Sequence, residues 1–211
     1  MTLRLNGATS GYTEIDAPAV AGSNTLVLPG GNGSAGNILG TDGAGNLSWV
    51  NGRMVLDTAK ASTSGTSIDF TGIPSWVKRI TVMFDGVSTN GTSIVQLQLG
   101  DAGGVETSGY AGVTVRTGGS NTYTSAYSSG FLTQTAMIAA STYAAQIVLT
   151  NITGNAWAMS GTTVDTTTVL NNSCFMCGTK TLSATLDRLR ITTVNGTDTF
   201  DAGSINILYE G

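Results

Sequence analysis

From residue 53 onward the chain alternates apolar and polar side chains with a period of two, the signature of strands with one buried face. Trp76, Lys78, Ile80, Val82 and Phe84 fall on one side and Val77, Arg79, Thr81 and Met83 on the other. The first set is the expected core face, with Lys78 near the strand start where its ammonium reaches water. Val95, Leu97 and Leu99 alternate in the same way with Ile94, Gln96 and Gln98, which predicts a wetter opposite side. Further strands are expected over Met54–Ala59, Ser67–Phe70, Tyr110–Arg116, Ala145–Asn151 and Trp157–Gly161, with a Thr-rich edge segment over Val164–Leu170. Asp85-Gly86 and Asn90-Gly91 frame an expected surface loop, Gly100–Gly109 another, and the alanines of Met137–Ala145 allow a short helical turn.

The C-terminal stretch carries the sharpest turn signal. Asn195-Gly196 lies between Leu189–Val194 and Thr197–Phe200, and this dipeptide tolerates the positive φ angles of a two-residue hairpin turn. Pairing Val194 with Thr197 would set Ile191 opposite Phe200 and Leu189 opposite Ala202. Asp187 shares their parity, so the strand begins after it or a bulge resets the register. Arg188 and Arg190 point the other way. A turn at Asp201-Ala202-Gly203 then leads into a last strand in which Ile205, Ile207 and Tyr209 alternate with Asn206, Leu208 and Glu210. About eight to ten short strands separated by Gly or Asn turns predict an all-β fold, a β-sandwich or jelly-roll-like head, over residues 53–211.

Residues 1–52 differ. They are cut short by glycine and carry only Arg4, Glu14, Asp16 and Asp42 as charged side chains. Asn24–Pro29 reads as a strand that Pro29 ends. A solvated linker would not hold Leu26, Leu28, Ile38, Leu39, Leu47, Trp49 and Val50, yet the segment is too thin to bury them alone. It therefore reads as an extended Gly-rich N-terminal arm, with Leu26, Leu28, Ile38, Leu47 and Trp49 as assembly contacts made against copies of itself.

Composition narrows the function. Charged residues make up 10% of the chain, against a usual figure of roughly 25%. With 29 Gly and 3 Pro among 211 residues, this suits strands and tight turns more than surface helices. The net charge of −4 supplies no basic stripe, so nucleic-acid binding is not expected. Low charge also offers little repulsion against self-association. No apolar run is long enough to cross a membrane, and Met1–Asn6 is too polar for the start of a secretory signal.

Catalytic chemistry finds little to build on. The chain has no histidine, which removes histidine-based triads and the usual zinc hydrolase sites. Cys174 and Cys177 form a single Cys-x-x-Cys; reduced thiols, a local disulfide, or metal shared between subunits are the alternatives. Asp101 with Glu106, or Asp57 with Asp69, are the carboxylate pairs that could meet. Asp42, Asn46 and the Asp201 turn offer oxygen ligands for Ca²⁺, but not at the spacing of a calcium loop. No cofactor is expected and the chain reads as non-enzymatic. Tyr123, Tyr127 and Trp157, with Tyr110 and Tyr143, lie in or beside Ser/Thr/Asn-rich segments, where an aromatic ring either stacks on a sugar or packs in the core.

The runs Leu26-Val27-Leu28-Pro29, Gly33-Ser34-Ala35-Gly36-Asn37-Ile38-Leu39 and Thr41-Asp42-Gly43-Ala44-Gly45-Asn46-Leu47-Ser48-Trp49 resemble a module near the front of phage tail fibres and virion appendage proteins, especially those of marine phages. Phe70–Ser75, Ser88–Ser93, Thr107–Tyr110, Leu186–Thr193 and Phe200–Ile205 resemble a domain found beside such modules. The resemblance implies a trimeric stalk or attachment arm on a virion structural protein, assembled in the host cytoplasm. Its expected partners are two sister chains, other virion proteins at the arm, and a host-surface glycan or protein. A tail fibre or receptor-binding appendage is the leading expectation; a capsid decoration protein or head fibre, and a free carbohydrate-binding module, are the alternatives.

Overall fold

A computed structural model of the chain describes residues 3–20, 22–34, 36–52, 54–118, 121–139, 141–167 and 172–211. Among these the secondary structure is strand and turn, with no helix, and the chain divides into two compact units, Met1–Gly52 and Arg53–Gly211. The fold is all-β.

The first unit holds two antiparallel hairpins. In one, β1 (Leu3–Asn6) pairs with β2 (Tyr12–Ile15); in the other, β3 (Asn37–Thr41) pairs with β4 (Leu47–Asn51). The stretch expected to form a strand before Pro29 instead makes one isolated parallel bridge, between Val27 and Asn46. Its glycine-rich surroundings supply no second ladder residue on either side. In the second hairpin the Trp49 indole donates to the Gly31 carbonyl at 2.7 Å, which fixes the ring beside Gly33, where a Cβ would collide with it.

The second unit is built from β5 (Met54–Leu56), β6 (Lys60–Ala61), β7 (Ser67–Thr71), β8 (Arg79–Thr89), β9 (Val95–Asp101), β10 (Gly104–Val105), β11 (Tyr110–Gly118) and β12 (Asn121–Tyr127). It continues with β13 (Phe131–Leu132), β14 (Tyr143–Thr153), β15 (Ala156–Asp165), β16 (Ser173–Thr181), β17 (Arg188–Thr193) and β18 (Phe200–Glu210). A five-stranded sheet runs β10-β9-β17-β7, with β13 also on β9. A nine-stranded sheet runs β12-β11-β16-β15-β14-β8-β18-β5, with β6 also on β18. Leu97, Leu99, Leu189 and Ile191 from the first sheet and Ile80, Val82, Ile147, Leu149, Ile205 and Ile207 from the second are all fully buried in a single apolar cluster. The nine-stranded sheet ends at β12, which pairs with β11 from Gly112↔Tyr127 to Gly118↔Asn121 without a register shift and carries neither a charged residue nor a proline.

The C-terminal hairpin does not form. β17 lies between β9 and β7, whereas β18 pairs with β8, β5 and β6 in the other sheet. Ile191 therefore faces Leu97 and Ile68, and Phe200 faces Thr89. The reason lies in the partners that the turn's side chains take. Asn195 Oδ1 accepts from the Thr193 hydroxyl and from the Thr197 and Asp198 amides at 2.9 to 3.1 Å, while Asp198 accepts from the Ser93 amide at 2.9 Å. These bonds open the turn into a crossing between sheets. The strand does begin after Asp187, at Arg188, and Leu189 and Ile191 are buried as their parity requires.

Two further expected breaks lie inside strands. Asp85-Gly86 sits within β8, and Asp201-Ala202-Gly203 within β18, where register shifts mark bulges in place of loop and turn. Gly86 and Gly203 both have positive φ, 63° and 88°, and a Cβ on Gly203 would strike the Asp85 and Gly86 carbonyls.

Other expectations shift by burial. Gln96 and Gln98, assigned to a wetter face, are buried: Gln98 Nε2 donates to the Ser129 carbonyl at 2.9 Å and Ser129 Oγ to Gln96 Oε1 at 3.3 Å. The chain after β12 covers that face, which alternation alone cannot report. Trp76 and Lys78 precede β8, whose first residue is Arg79. The Gly100–Gly109 loop contains β10, which turns back onto β9. The described residues of Met137–Ala145 form no helix; the segment leads directly into β14. Of the Thr-rich segment, Val164 and Asp165 end β15, a strand enclosed by β14 and β16, and residues 168–170 lie outside the described set.

Ile147 is fully buried in the middle of the nine-stranded sheet. Ile147→Ala is expected to lower the unfolding free energy by about 2–5 kcal/mol in urea titration, with an unchanged slope.

Candidate functional site

Of the three aromatic residues singled out from the sequence, Tyr127 borders a cleft. Its ring lies across a cross-strand pair of glycines, Gly112 and Gly178, where a Cβ on either would run into the phenol oxygen. The two missing side chains let the hydroxyl reach the Cys177 carbonyl, to which it donates at 2.6 Å. Phe131 meets the ring edge-on at 5.9 Å and Tyr110 does the same to Phe131 at 4.9 Å. Burial pushes the Tyr127 hydroxyl well above its ordinary pKa, with a smaller contribution from Cys177. It is a fixed, neutral ring that is 8% exposed.

Beside it opens a cleft of about 420 Å³, lined by Thr92, Ser93, Ile94, Tyr127, Ser128, Ser129, Leu132 and Val194 among others. Hydroxyls border an apolar floor, a lining that suits a small hydroxylated ligand better than a charged one. Tyr123 lies elsewhere: it is 46% exposed on β12, with the Arg116 guanidinium 4.3 Å from its ring centroid. Trp157 is 3% exposed and belongs to the core cluster. The three rings therefore do not converge on one surface.

Phe175 was not singled out from the sequence, yet it is 53% exposed on β16, a strand enclosed by β11 and β15 in the nine-stranded sheet. It pairs with Val115 and Thr162, and Thr162 with Gln146. Phe175, Thr162 and Gln146 line an open depression of about 410 Å³. The signal was available: within Cys174-Phe175-Met176-Cys177 a strand that buries Cys174 and Met176 must turn Phe175 outward. The same parity puts the two cysteines on opposite faces, one buried and one exposed, and both are free thiols. Burial raises the Cys174 thiol pKa, which makes it a poor nucleophile.

The carboxylates Asp101 and Glu106 do meet, through a residue from another loop. Ser183 Oγ lies 2.7 Å from Asp101 Oδ2 and 2.9 Å from Glu106 Oε1, and the Ser183 amide donates to Glu106 Oε1 at 2.7 Å. Lys180, 5% exposed on β16, pairs with Glu106, and the Tyr110 hydroxyl donates to the Glu106 carbonyl at 2.9 Å. For Glu106, burial disfavours the charge, but the hydrogen bonds from Lys180 and Ser183 outweigh it and hold the carboxyl below its ordinary pKa. Hydrogen bonds from Ser183 and the Gly103 amide do the same for Asp101. Two ionised carboxylates locked to a lysine and a serine join the β9–β10 region to the end of β16 and the segment after it; neither is poised to donate a proton near neutrality. The other pair does not form, since Asp69 is gripped by the Arg190 guanidinium at 2.7 and 2.9 Å.

Of the oxygen groups considered for Ca²⁺, those of Asp42 and Asn46 are engaged with each other. Asp42 Oδ1 accepts from the Ala44 and Asn46 amides, and the Asn46 side chain donates to Asp42 Oδ2 at 2.6 Å. Among the described residues no three His, Cys, Asp or Glu side chains cluster as a metal site.

In the N-terminal unit the apolar residues stand open. Leu26 and Leu28 are 68% and 72% exposed, and Ile38 and Trp49 are 51% and 43% exposed; Leu47 and Val50 are half-buried. Leu3, Leu5, Tyr12 and Ile15 are also more than half exposed. Comparison with protein-family models, characterised proteins and solved structures gives no match.

Two measurements separate holding a site together from recognition. Tyr127→Phe removes the bond to the Cys177 carbonyl and is expected to cost about 0.5–1.5 kcal/mol in urea titration. Because the Glu106 pKa is lowered in the folded state, its contribution is full above the ordinary value of 4.5 and is lost as the pH falls through the lower folded value. Acid unfolding of the parent protein should therefore show a loss of stability below about pH 5 that is smaller in Glu106→Gln.

Proposed function

We propose that the chain is a non-enzymatic structural protein of a phage virion, a homotrimeric tail fibre or receptor-binding appendage. In this reading the two sheets of the second unit are the layers of a β-sandwich head, and the first unit is the extended attachment arm. The observation that carries it is the arm's lack of a core. An isolated two-stranded hairpin is marginal in water, and here two of them expose nearly all their apolar side chains. Such a unit gains its stability from what it docks on, which in a homo-oligomer is the same unit of sister chains.

The chemistry of the head supports an exposed, non-catalytic role. Asp101, Glu106 and Asp69 are held in hydrogen-bonded arrangements, and the Tyr127 cleft and Phe175 depression offer hydroxyl-lined apolar surface suited to a host glycan or protein. The same arm would equally anchor a capsid decoration protein or head fibre, since both need a docking segment and a projecting head. A gold label on the C-terminus, imaged on intact virions, separates tail from capsid.

The full chain is expected to run as a trimer in light scattering. Leu28→Asp combined with Trp49→Asp should give a folded monomer with unchanged far-ultraviolet circular dichroism of the head. A parent protein that is monomeric at all accessible concentrations would overturn the reading.

A further inference from the structure

The buried side-chain nitrogens and oxygens without a protein partner, among the described residues, are Arg116 Nε, Thr135 Oγ1, Tyr143 OH, Thr163 Oγ1 and Asn172 Oδ1. They are not scattered. Arg116 pairs with Cys174 across β11 and β16, and Cys174 with Thr163 across β16 and β15. One step along, the Asp165 amide donates to the Asn172 carbonyl at 3.2 Å, and Asp165 pairs with Tyr143. Thr163, Asn172 and Tyr143 are 2%, 7% and 2% exposed, so their side chains share the inner face of the nine-stranded sheet. Thr135 comes from the segment that covers this face: its neighbour Gln134 accepts a hydrogen bond from the Cys174 thiol at 3.8 Å, and the Thr135 backbone also lies against that thiol. The Tyr143 hydroxyl lies near the Ser141 side chain and the Ile138 amide, but neither meets it in hydrogen-bond geometry.

Five bare polar atoms in one layer would cost a free energy comparable to the stability of a whole domain. Buried polar groups in folded proteins are overwhelmingly paired, so a common partner is required. Its chemistry follows from the atoms. Arg116 Nε only donates, Asn172 Oδ1 only accepts, and the three hydroxyls do either. A bare anion would leave Asn172 unmatched and would face the Asp165 carboxylate; a cation would face the Arg116 guanidinium. The partner must be neutral and must both donate and accept. Each of the five atoms is closed to bulk solvent, which leaves no open mouth for a sugar.

We propose that this layer is a closed hydration site, in which a small cluster of ordered water molecules bridges Arg116, Thr163, Asn172 and Tyr143 to Thr135. Water makes about three hydrogen bonds in such sites and both donates and accepts, which matches what these atoms lack. The cluster fastens Thr135 to the sheet beside the core residues Met137 and Cys174. It stands on the head's own geometry and does not depend on the virion reading.

The test is an isosteric exchange with a matched control. Thr163→Val removes the hydroxyl from the layer; Thr162→Val removes one from the exposed face a residue away. With bridging water, Thr163→Val raises the unfolding equilibrium constant about tenfold, and Thr162→Val leaves it nearly unchanged. If Thr163→Val is neutral or stabilising, the hydroxyl has no partner and the proposal fails. A crystal structure of the parent protein at high resolution supplies the second readout. Water density within hydrogen-bond distance of Thr163 Oγ1 and Arg116 Nε supports the site. A dry layer, or a bound organic molecule or ion in its place, overturns it.

Discussion

The inner face of the nine-stranded sheet has to be covered, and the second unit is organised by how that is done. Over most of its width the five-stranded sheet lies in the same apolar cluster, with Leu97, Leu99, Leu189 and Ile191 supplying the side chains. Burial of such groups from water is the main favourable contribution available to a chain with so few charges. Where β11, β16 and β15 run toward Arg116, Asn172 and Asp165, the inner face turns polar, and the cover changes from a sheet to the segment around Gln134 and Ser141. Asp165 takes hydrogen bonds there from Ser141 and Thr167 at 2.6 to 3.0 Å. The unit thus has an apolar middle and a polar end.

Ion pairs among the described residues tie strand to strand and, at Lys180 and Glu106, a strand to a loop. Glu106, Lys180, Ser183 and Asp101 join the β9–β10 region to the segment between β16 and β17, and Asp69 with Arg190 ties β7 to β17. Both arrangements combine charge with hydrogen bonds in a fixed geometry, which is where such pairs contribute most. The glycines act in a complementary way. Gly112 and Gly178 make a groove for one tyrosine, and Gly86 and Gly203 let two long strands bulge together without separating.

The strands themselves were legible because alternation is a local property: Ile80, Val82 and Phe84, or Leu189 and Ile191, declare their buried side within a few residues. Which strand pairs with which was not. Asn195-Gly196 has the composition of a tight hairpin, but Asn195 spends its side-chain oxygen on three donors, and Asp198 is drawn to Ser93 about a hundred residues away in sequence. Bulges were missed for the same reason, since a Gly inside a strand and a Gly in a turn look alike until the partner is known. At the candidate sites, Asp101 and Glu106 were recognised as a pair, while Ser183 and Lys180, which join them, come from a distant segment. Tyr127 was noticed as an aromatic in polar surroundings, but the paired glycines that fix it lie on two other strands. Phe175 could have been found from parity alone.

One strand has no counterpart to all this closure. β12 ends its sheet with a straight ladder and none of the devices that usually deter pairing, neither a lysine nor a proline nor a bulge. Its outer amides and carbonyls form a template onto which any extended peptide can add. At high concentration the second unit is therefore open to strand-to-strand pairing along this margin.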